Sequence, residues 1–529
     1  MSLRADLRFA LRSLARSPGM VAVIVLSLAL AIGANTTVFT WMEGFVLRPY
    51  PMVKNAHELV WVNTRAPNGD RWSVSYPTLR DWDREAHTTD GLAGFDMVQV
   101  NLKDGEETQQ AWGTLVTGKY FDLLGVRPVH GRILTTEDEA SASQVAVLGY
   151  SYWQRRFQAD PGVIGRQVSL NGHGFTIVGI LPPRFGGVTV GLVFDVFVPF
   201  TVQPLLSPGN QLTDRGWQSM EAFGRLKPGV TFEQARADLE QMALEVARLN
   251  NREGEGLLLG KVYERGAPEV LLPVLSALLG VTALVLLIAC ANIANVLLAR
   301  AGGRSKEIAV RLAMGAPRRR IVRQLITESA LLALAGCTLG LLLAWWGRNG
   351  IMAFVPPAPF PIEVDLSVNY RVVLFALGLT ALTTVAFGLV PALRASRPDL
   401  VPVLKDEVSG LGVSRSLLRS GLVVTQVALS VVALVSAGLF LRALQRAQQV
   451  DTGIRDPGSL LVVSTNTYLA GYTAETGPVL ADRLLARVRA VSGVRLVSLT
   501  THAPLGFGDN SSQSVAVEGY TAARDENLS

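Results

Sequence analysis

VLLPVLSALLGVTALVLLIACANIANVLLA (Val270–Ala299) carries no charged residue. About 20 apolar residues already cross the ~30 Å hydrocarbon core of a bilayer as a helix, so this stretch predicts a membrane span. The segment after it, RAGGRSKEIAVRLAMGAPRRRIVRQ (Arg300–Gln324), is crowded with Lys and Arg, as short loops on the cytoplasmic side are. LITESALLALAGCTLGLLLAWW (Leu325–Trp346) then becomes uniformly apolar after Glu328 and returns through the bilayer. Two spans joined by a short basic elbow are the unit from which the rest of the chain is read.

Composition agrees with a membrane class. Of the 529 residues, 49% are hydrophobic and only 17% charged, an apolar excess over ordinary soluble proteins. The net charge of +6 does not point to nucleic acid. The basic residues gather beside apolar spans, where they set orientation and meet anionic lipid headgroups. The two cysteines, Cys290 and Cys337, fall inside expected spans, so neither a disulfide framework nor a zinc site is read from them.

Upstream, residues 1–17 read as an amphipathic helix. Leu3, Leu7, Leu11 and Leu14 share one face, with Arg4, Arg8, Arg12 and Arg16 beside them, the pattern of a helix lying in the inner headgroup layer. Ser17 and Pro18 then supply an N-cap and a first-position proline for a span over 18–42. A cleavable signal peptide is the rival reading, since Ala29-Leu30-Ala31 resembles a cleavage site. The apolar run continues past it to Trp41, which favours an uncleaved span.

Residues 44–268 turn polar and Gly/Pro-punctuated, with strand-like runs at Leu59–Val62, Gln144–Leu148, Val168–Leu170 and Phe175–Leu181. Helical spacing appears at Tyr76–Glu85, Tyr150–Phe157 and Thr231–Asn250. The expectation is a folded α+β domain on the outer face. Spans are expected at 270–299, 325–347 and 372–393, followed by a cytoplasmic linker over 394–419 and a fifth span over 420–441. A second outer segment, 450–529, is mixed like the first. The order of Arg-rich lead, apolar span and outer segment occurs at 3–268 and begins again at 415–529. The sequence therefore reads as one four-span unit plus the start of another, as a truncated frame or a fragment would.

The basic elbow is the sharpest motif. Glu307 and Arg311 stand i,i+4 in the favourable order, Ile308 and Leu312 form an apolar edge beside Lys306, and Gly315 can end the helix before Pro317 starts the next. Spacing alone leaves two readings: an elbow anchored to lipid, or a docking helix for a soluble partner. Within the spans, Asn292 and Asn295 share a helix face, and Asn35 and Gln426 lie in other spans; interhelical hydrogen bonding is the expected role. Gly336 and Gly340 permit close helix approach. No well-buried intramembrane carboxylate is expected, Glu328 being near the cytoplasmic entry.

Enzymatic chemistry is not legible. Gly256-Leu257-Leu258-Leu259-Gly260-Lys261-Val262 is one residue short of a P-loop and has Val262 where a hydroxyl is needed. His57, His87, His130 and His173 lack metal-ligand spacing. Glu137-Asp138-Glu139 reads as a solvated loop. Nothing in the sequence calls for a cofactor or a metal.

Several separated motifs carry a family resemblance. RSKEIAVRLAMGAPRRRIVRQLITES resembles the segment between the second and third spans of MacB/FtsX/LolCE-type (type VII) ABC transporter permeases. DLRFALRSLARSPG, AIGANTTVF, VTGKYFDLLGVRPVHGR and PALRASRPDL are similar to the duplicated acidobacterial-type (ADOP) permeases. The resemblance implies an α-helical polytopic fold with α+β periplasmic domains in a bacterial inner membrane. It further implies that Lys306, Glu307, Ile308, Arg311, Leu312 and Gly315 belong to a coupling helix contacting a separate ABC ATPase subunit. A periplasmic adaptor or envelope enzyme, membrane lipid, and a dimer or pseudo-dimer complete the expected partners. Export with mechanotransmission is the function implied, and a non-transporting FtsX-like regulator of an envelope enzyme the alternative.

Overall fold

The computed structural model describes residues 3–48, 50, 52–209, 211–264, 267–303, 310, 314, 317–350, 365–389, 412–448, 459–463, 465–473 and 475–500. Two bodies organise them: a bundle of apolar helices and a large mixed domain inserted in it. Helix α1 covers Leu3–Ala15 and α2 Pro18–Met42, the latter continued by a π turn over Glu43–Leu47. After the inserted domain come α9 (Ala267–Gly303), α10 (Arg318–Gly347), α11 (Tyr370–Thr384, with a π turn over Val385–Leu389) and α12 (Gly412–Gln448). The helix α13 (Gly477–Arg489) lies in the second outer segment.

Among the described residues, four helical stretches are long and apolar enough to cross a membrane: Pro18–Leu47, Glu269–Leu297, Arg318–Gly350 and Val423–Ala443. The expected span at 372–393 is a shorter helix, fifteen residues before its π turn; residues 390–393 lie outside the described set. Pro18 occupies the first turn of α2 as expected, but the Ser17 side chain makes no capping bond. The backbone alone closes that end, the Val21 amide donating to the Ser17 carbonyl at 3.1 Å.

The inserted domain begins with β1 (Leu59–Arg65), β2 (Arg71–Trp72) and α3 (Tyr76–Glu85). The hairpin β3 (Thr89–Asp104) and β4 (Glu107–Val116) follows, then α4 (Tyr120–Leu124), β5 (His130–Gly131), α5 (Thr136–Ala140), β6 (Val145–Leu148) and α6 (Tyr150–Phe157). It continues through β7 (Gln167–Leu170), β8 (His173–Ile180), β9 (Val196–Pro199) and α7 (Gln203–Leu206), and closes with β10 (Glu221–Leu226), α8 (Phe232–Leu249) and β11 (Gly256–Lys261). One mixed sheet runs β11-β1-β10-β3-β4-β9-β6-β8-β5, with β2 beside β1 and β7 bridging β3 and β8.

Alternate residues along the strands enter two different cores, as a period of two requires of a sheet covered on both faces. Val62, Leu92, Ala146, Val196 and Ala222 face the core that holds Leu79 and Trp82 of α3 and Leu239 and Met242 of α8. Trp61, Ala93, Val147, Phe197 and Phe223 face the other, around Tyr120 and Phe121 of α4. The Asn171-Gly172 turn takes positive φ at both residues, 50° and 91°, and joins β7 to β8 as the dipeptide predicts. The Thr231 hydroxyl accepts from the Gln234 amide at 3.3 Å while the Gln234 side chain accepts from the Thr231 amide at 2.9 Å, a capping box at the head of α8.

Candidate force-transmission site

The basic elbow between the second and third apolar helices comes first. Lys306, Glu307, Ile308, Arg311, Leu312 and Gly315 lie outside the described residues. Between them, Val310 and Met314 are both exposed. The Met314 amide donates to the Val310 carbonyl at 2.9 Å, the i,i+4 bond of a helical turn.

Inside the bundle, α2 and α10 pack through glycine. A Cβ added at Gly336 would lie 2.6 Å from the Leu28 Cβ, and one at Gly340 would lie 3.1 Å from the Gly33 nitrogen. No side chain fits there without moving a helix, the close approach on which membrane helix packing depends. Between α2 and α9 the contact is polar: Asn35 donates to the Thr282 carbonyl at 2.8 Å, and the Thr282 hydroxyl donates back to Asn35 Oδ1 at 3.1 Å. Asn292, on α9, is exposed. Asn295 points its Oδ1 into the interior without a hydrogen-bond partner among the described residues. The reciprocal pair therefore falls on Asn35 and Thr282.

Two carboxylates are buried at opposite ends of the bundle, which corrects the expectation of none: Glu43 is 3% exposed and Glu328 7%. Glu328 is near the cytoplasmic entry in sequence, but α11 leans on its helix face. A Cβ at Gly388 would stand 2.9 Å from Ser329 Cβ next door. Glu43 lies 3.9 Å from Arg371 of α11. At the same outer end, Trp41 donates its indole N–H to the Arg348 carbonyl at 2.8 Å, and Phe39 stacks on Phe375 at 4.0 Å. None of these outer contacts is signalled by hydropathy, since each joins residues hundreds of positions apart.

The outer domain joins the bundle through two connections. The strand after α2 is β1 and the strand before α9 is β11, and they pair antiparallel with Val60 opposite Lys261 and Arg65 opposite Gly256. Below them the Tyr50 hydroxyl donates to the Val262 carbonyl at 2.9 Å, closing the neck between the two connectors. The near-miss P-loop is this same β11: it is an extended ladder strand, not a loop that could wrap phosphate.

The acidic run is also corrected. Only Glu137 is solvated; Asp138 and Glu139 are 6% and 3% exposed. Glu139 accepts from the Tyr76 hydroxyl at 3.0 Å, Arg80 at 3.2 Å and the Gly118 amide at 2.9 Å. Asp138 takes both Arg132 nitrogens, at 2.5 and 2.9 Å, and the Thr135 amide at 2.9 Å. Burial pushes the Asp138 carboxyl up, but the Arg132 and Thr135 bonds together hold it below the ordinary carboxylate range. Burial and the neighbouring Glu139 raise Tyr76 far above an ordinary phenol. These residues fasten α3, the turn before α4, and α5 together.

An outer α+β domain, inserted after the first span of a helical bundle and held by paired first and last strands, defines a class of polytopic membrane protein. The MacB-like periplasmic core domain profile matches residues 21–242, and the FtsX-like permease C-terminal profile matches residues 279–400. The chain belongs to the MacB/FtsX-type permeases of ABC transporters. The ABC transporter permease YvrN of Bacillus subtilis (strain 168) is 27% identical over 61% of this chain and 74% of its own length. The pyoverdine export ATP-binding/permease protein PvdT of Pseudomonas syringae pv. tomato is 26% identical over 73% of this chain. The macrolide export ATP-binding/permease protein MacB of Azoarcus sp. (strain BH72) is 26% identical over 77% of this chain. This chain spans little more than half of those last two, 55% and 58%. Among solved structures, the periplasmic region of MacB from Actinobacillus actinomycetemcomitans matches at 14% identity and a TM-score of 0.31, over 40% of this chain and 94% of that one.

Proposed function

We propose that this chain is the permease subunit of an ABC-type export or mechanotransmission system in the inner membrane, driven by a separate ATPase that docks on the elbow at Lys306–Gly315. The observation that carries the reading is the neck. Helices α2 and α9 enter the outer domain through two strands that are hydrogen-bonded neighbours, with Tyr50 tied to Val262 beneath them. A tilt of α2 against α9 is delivered directly to the edge of the outer sheet, while glycine contacts keep α2 and α10 moving as one body. ATP-driven closure of the partner would push the elbow, and the outer domain would change shape on the far side of the bilayer. The cargo class that suits periplasmic capture is a hydrophobic compound, peptide or lipoprotein, and the export names of the relatives favour export over regulation.

Co-purification from the native membrane tests the docking. The triple variant Glu307→Ala, Ile308→Asp, Arg311→Glu is expected to lose an associated ATPase that the wild-type chain retains. An undiminished complex would sink the docking claim, and capture of a cell-wall hydrolase by the outer domain would move the reading to an FtsX-like regulator.

A further inference from the structure

We infer that the outer domain steers α11 through a second, non-covalent route, an ion-pair strap from Arg184 to Asp365 that continues through the head of α11 to Glu43 in the π turn after α2. This extends the transmission reading, but it concerns contacts within the chain and is tested without any ATPase.

The strap begins on a loop that cannot drift. Residues 181–195 join β8 to β9, both inside the central sheet, and Phe185, Val188 and Phe194 are buried in the core around Tyr120. Phe185 lies 6.1 Å from both Phe121 and Phe197, ring to ring. A Cβ at Gly187 would stand 2.5 Å from the Tyr120 hydroxyl, and Gly187 has φ +76°, so the backbone is seated against that ring where only glycine fits. Arg184 projects from this seat, and its Nη1 reaches Asp365 Oδ2 at 3.0 Å.

At the far end both Asp365 oxygens are engaged, since Oδ1 accepts from the Ser367 amide at 3.1 Å. Four residues on, Asn369 caps α11, its Oδ1 accepting from the amides of Arg371 at 2.9 Å and Val372 at 3.2 Å. Arg371 then faces Glu43 at 3.9 Å. The Tyr120 core, the Arg184 loop, the α11 cap and the π turn after α2 are thus joined in series, through the backbone between Ser367 and Asn369 and with ionic links at two joints. The first joint is more than half-exposed on its Arg184 side, a kind of pair that contributes little to stability and breaks readily. It suits a link that makes and breaks as the outer domain moves.

Hydrogen exchange on the full chain in lipid nanodiscs tests the strap. Arg184→Glu is expected to speed exchange severalfold across residues 365–373, and Asp365→Arg to do the same across 181–195. The double reversal Arg184→Glu with Asp365→Arg is expected to return both segments to within about twofold of wild type. Unchanged exchange at 365–373 in Arg184→Glu, or no recovery in the double variant, would overturn the inference. If Arg184→Glu also loosens β3 and β4, the milder Arg184→Gln decides by the same criterion. Loss of ATPase docking with the strap intact, or the converse, separates this claim from the permease reading.

Discussion

Helices α2 and α12 grow from the same sequence recipe, an Arg-rich lead followed by a long apolar run, yet their surroundings are opposite. Half of the most apolar window in α2 is buried, and none of that in α12. Hydropathy places a helix in lipid, where a neighbouring helix is no more apolar than the acyl chains. Packing then depends on which surfaces match. Gly33 meets Gly340, and Leu28 meets Gly336. Gly421 and Gly438 of α12 meet nothing within 4 Å. Small residues permit close approach; they do not supply the partner.

The sharpest way to break this comparison is to fill the glycines. Gly336→Leu should destabilise the purified chain by about 3 kcal/mol, because overpacking at a backbone contact forces the helices apart. Gly438→Leu should change stability by less than about 0.5 kcal/mol. Equal thermal shifts for the two in detergent would mean that α12 packs as tightly as α2.

The same contrast is repeated on a smaller scale in the outer domain, between adjacent acids. Glu139→Ala strands the Tyr76, Arg80 and Gly118 donors and should cost about 2 kcal/mol, whereas Glu137→Ala, fully solvated, should leave the unfolding midpoint at the wild-type value. Urea unfolding of the two variants followed by tryptophan fluorescence checks the pair, and near-equal midpoints would refute the burial.

Within the bundle, Asn35→Leu removes the reciprocal bond to Thr282 and should cost about 1 kcal/mol, the ordinary size of an interhelical hydrogen bond in lipid. Gln426→Leu on α12, whose apolar window is not buried, should be close to neutral. A double-mutant cycle with Thr282→Val isolates the Asn35 contribution, and a coupling near zero would show that the bond is formed without consequence.

The smallest effect is one of pH. Asp138 is held below its unfolded pKa of about 3.9, so the unfolded chain binds protons first as pH falls. The stability from its clamp is therefore present above about pH 4 and lost as pH drops through the folded value. Between pH 5 and 3 the wild-type melting temperature should fall more steeply than that of Asp138→Asn. Parallel curves would show that Arg132 does not hold this carboxyl.

Much of the outer domain is legible in the sequence where one element carries its own signal. Tyr76–Glu85 and Tyr150–Phe157 are helices over the residues that spacing marks, and Asn171-Gly172 turns as its dipeptide requires. The longest hairpin, β3 with β4, is missed. Gly91, Gly94 and Gly113 interrupt its apolar alternation, and Gly94 is small because Leu79 and Met220 already fill the space a Cβ would take, each 2.5 Å away. Glu139 escapes a sequence reading for a related reason: its partners Tyr76, Arg80 and Gly118 stand far away along the chain, whereas Asp138 is clamped by the nearby Arg132 and Thr135. The second outer segment carries α13 but no strand among its described residues, and Leu461 and Val463 remain exposed. An apolar run becomes a strand only where another strand lies alongside.

The sequence by itself determined that this chain enters a membrane and that a mixed domain is inserted after the first span. Those properties follow from transfer free energies and charge, which add residue by residue along a segment. Only the tertiary structure decided that α2 is gripped by α10, that Glu43 is buried opposite Arg371, that Glu139 is a clamp, and that β1 and β11 meet at the neck. Each of these depends on a second surface brought close by the fold, and a one-dimensional pattern holds no record of which distant surface that will be.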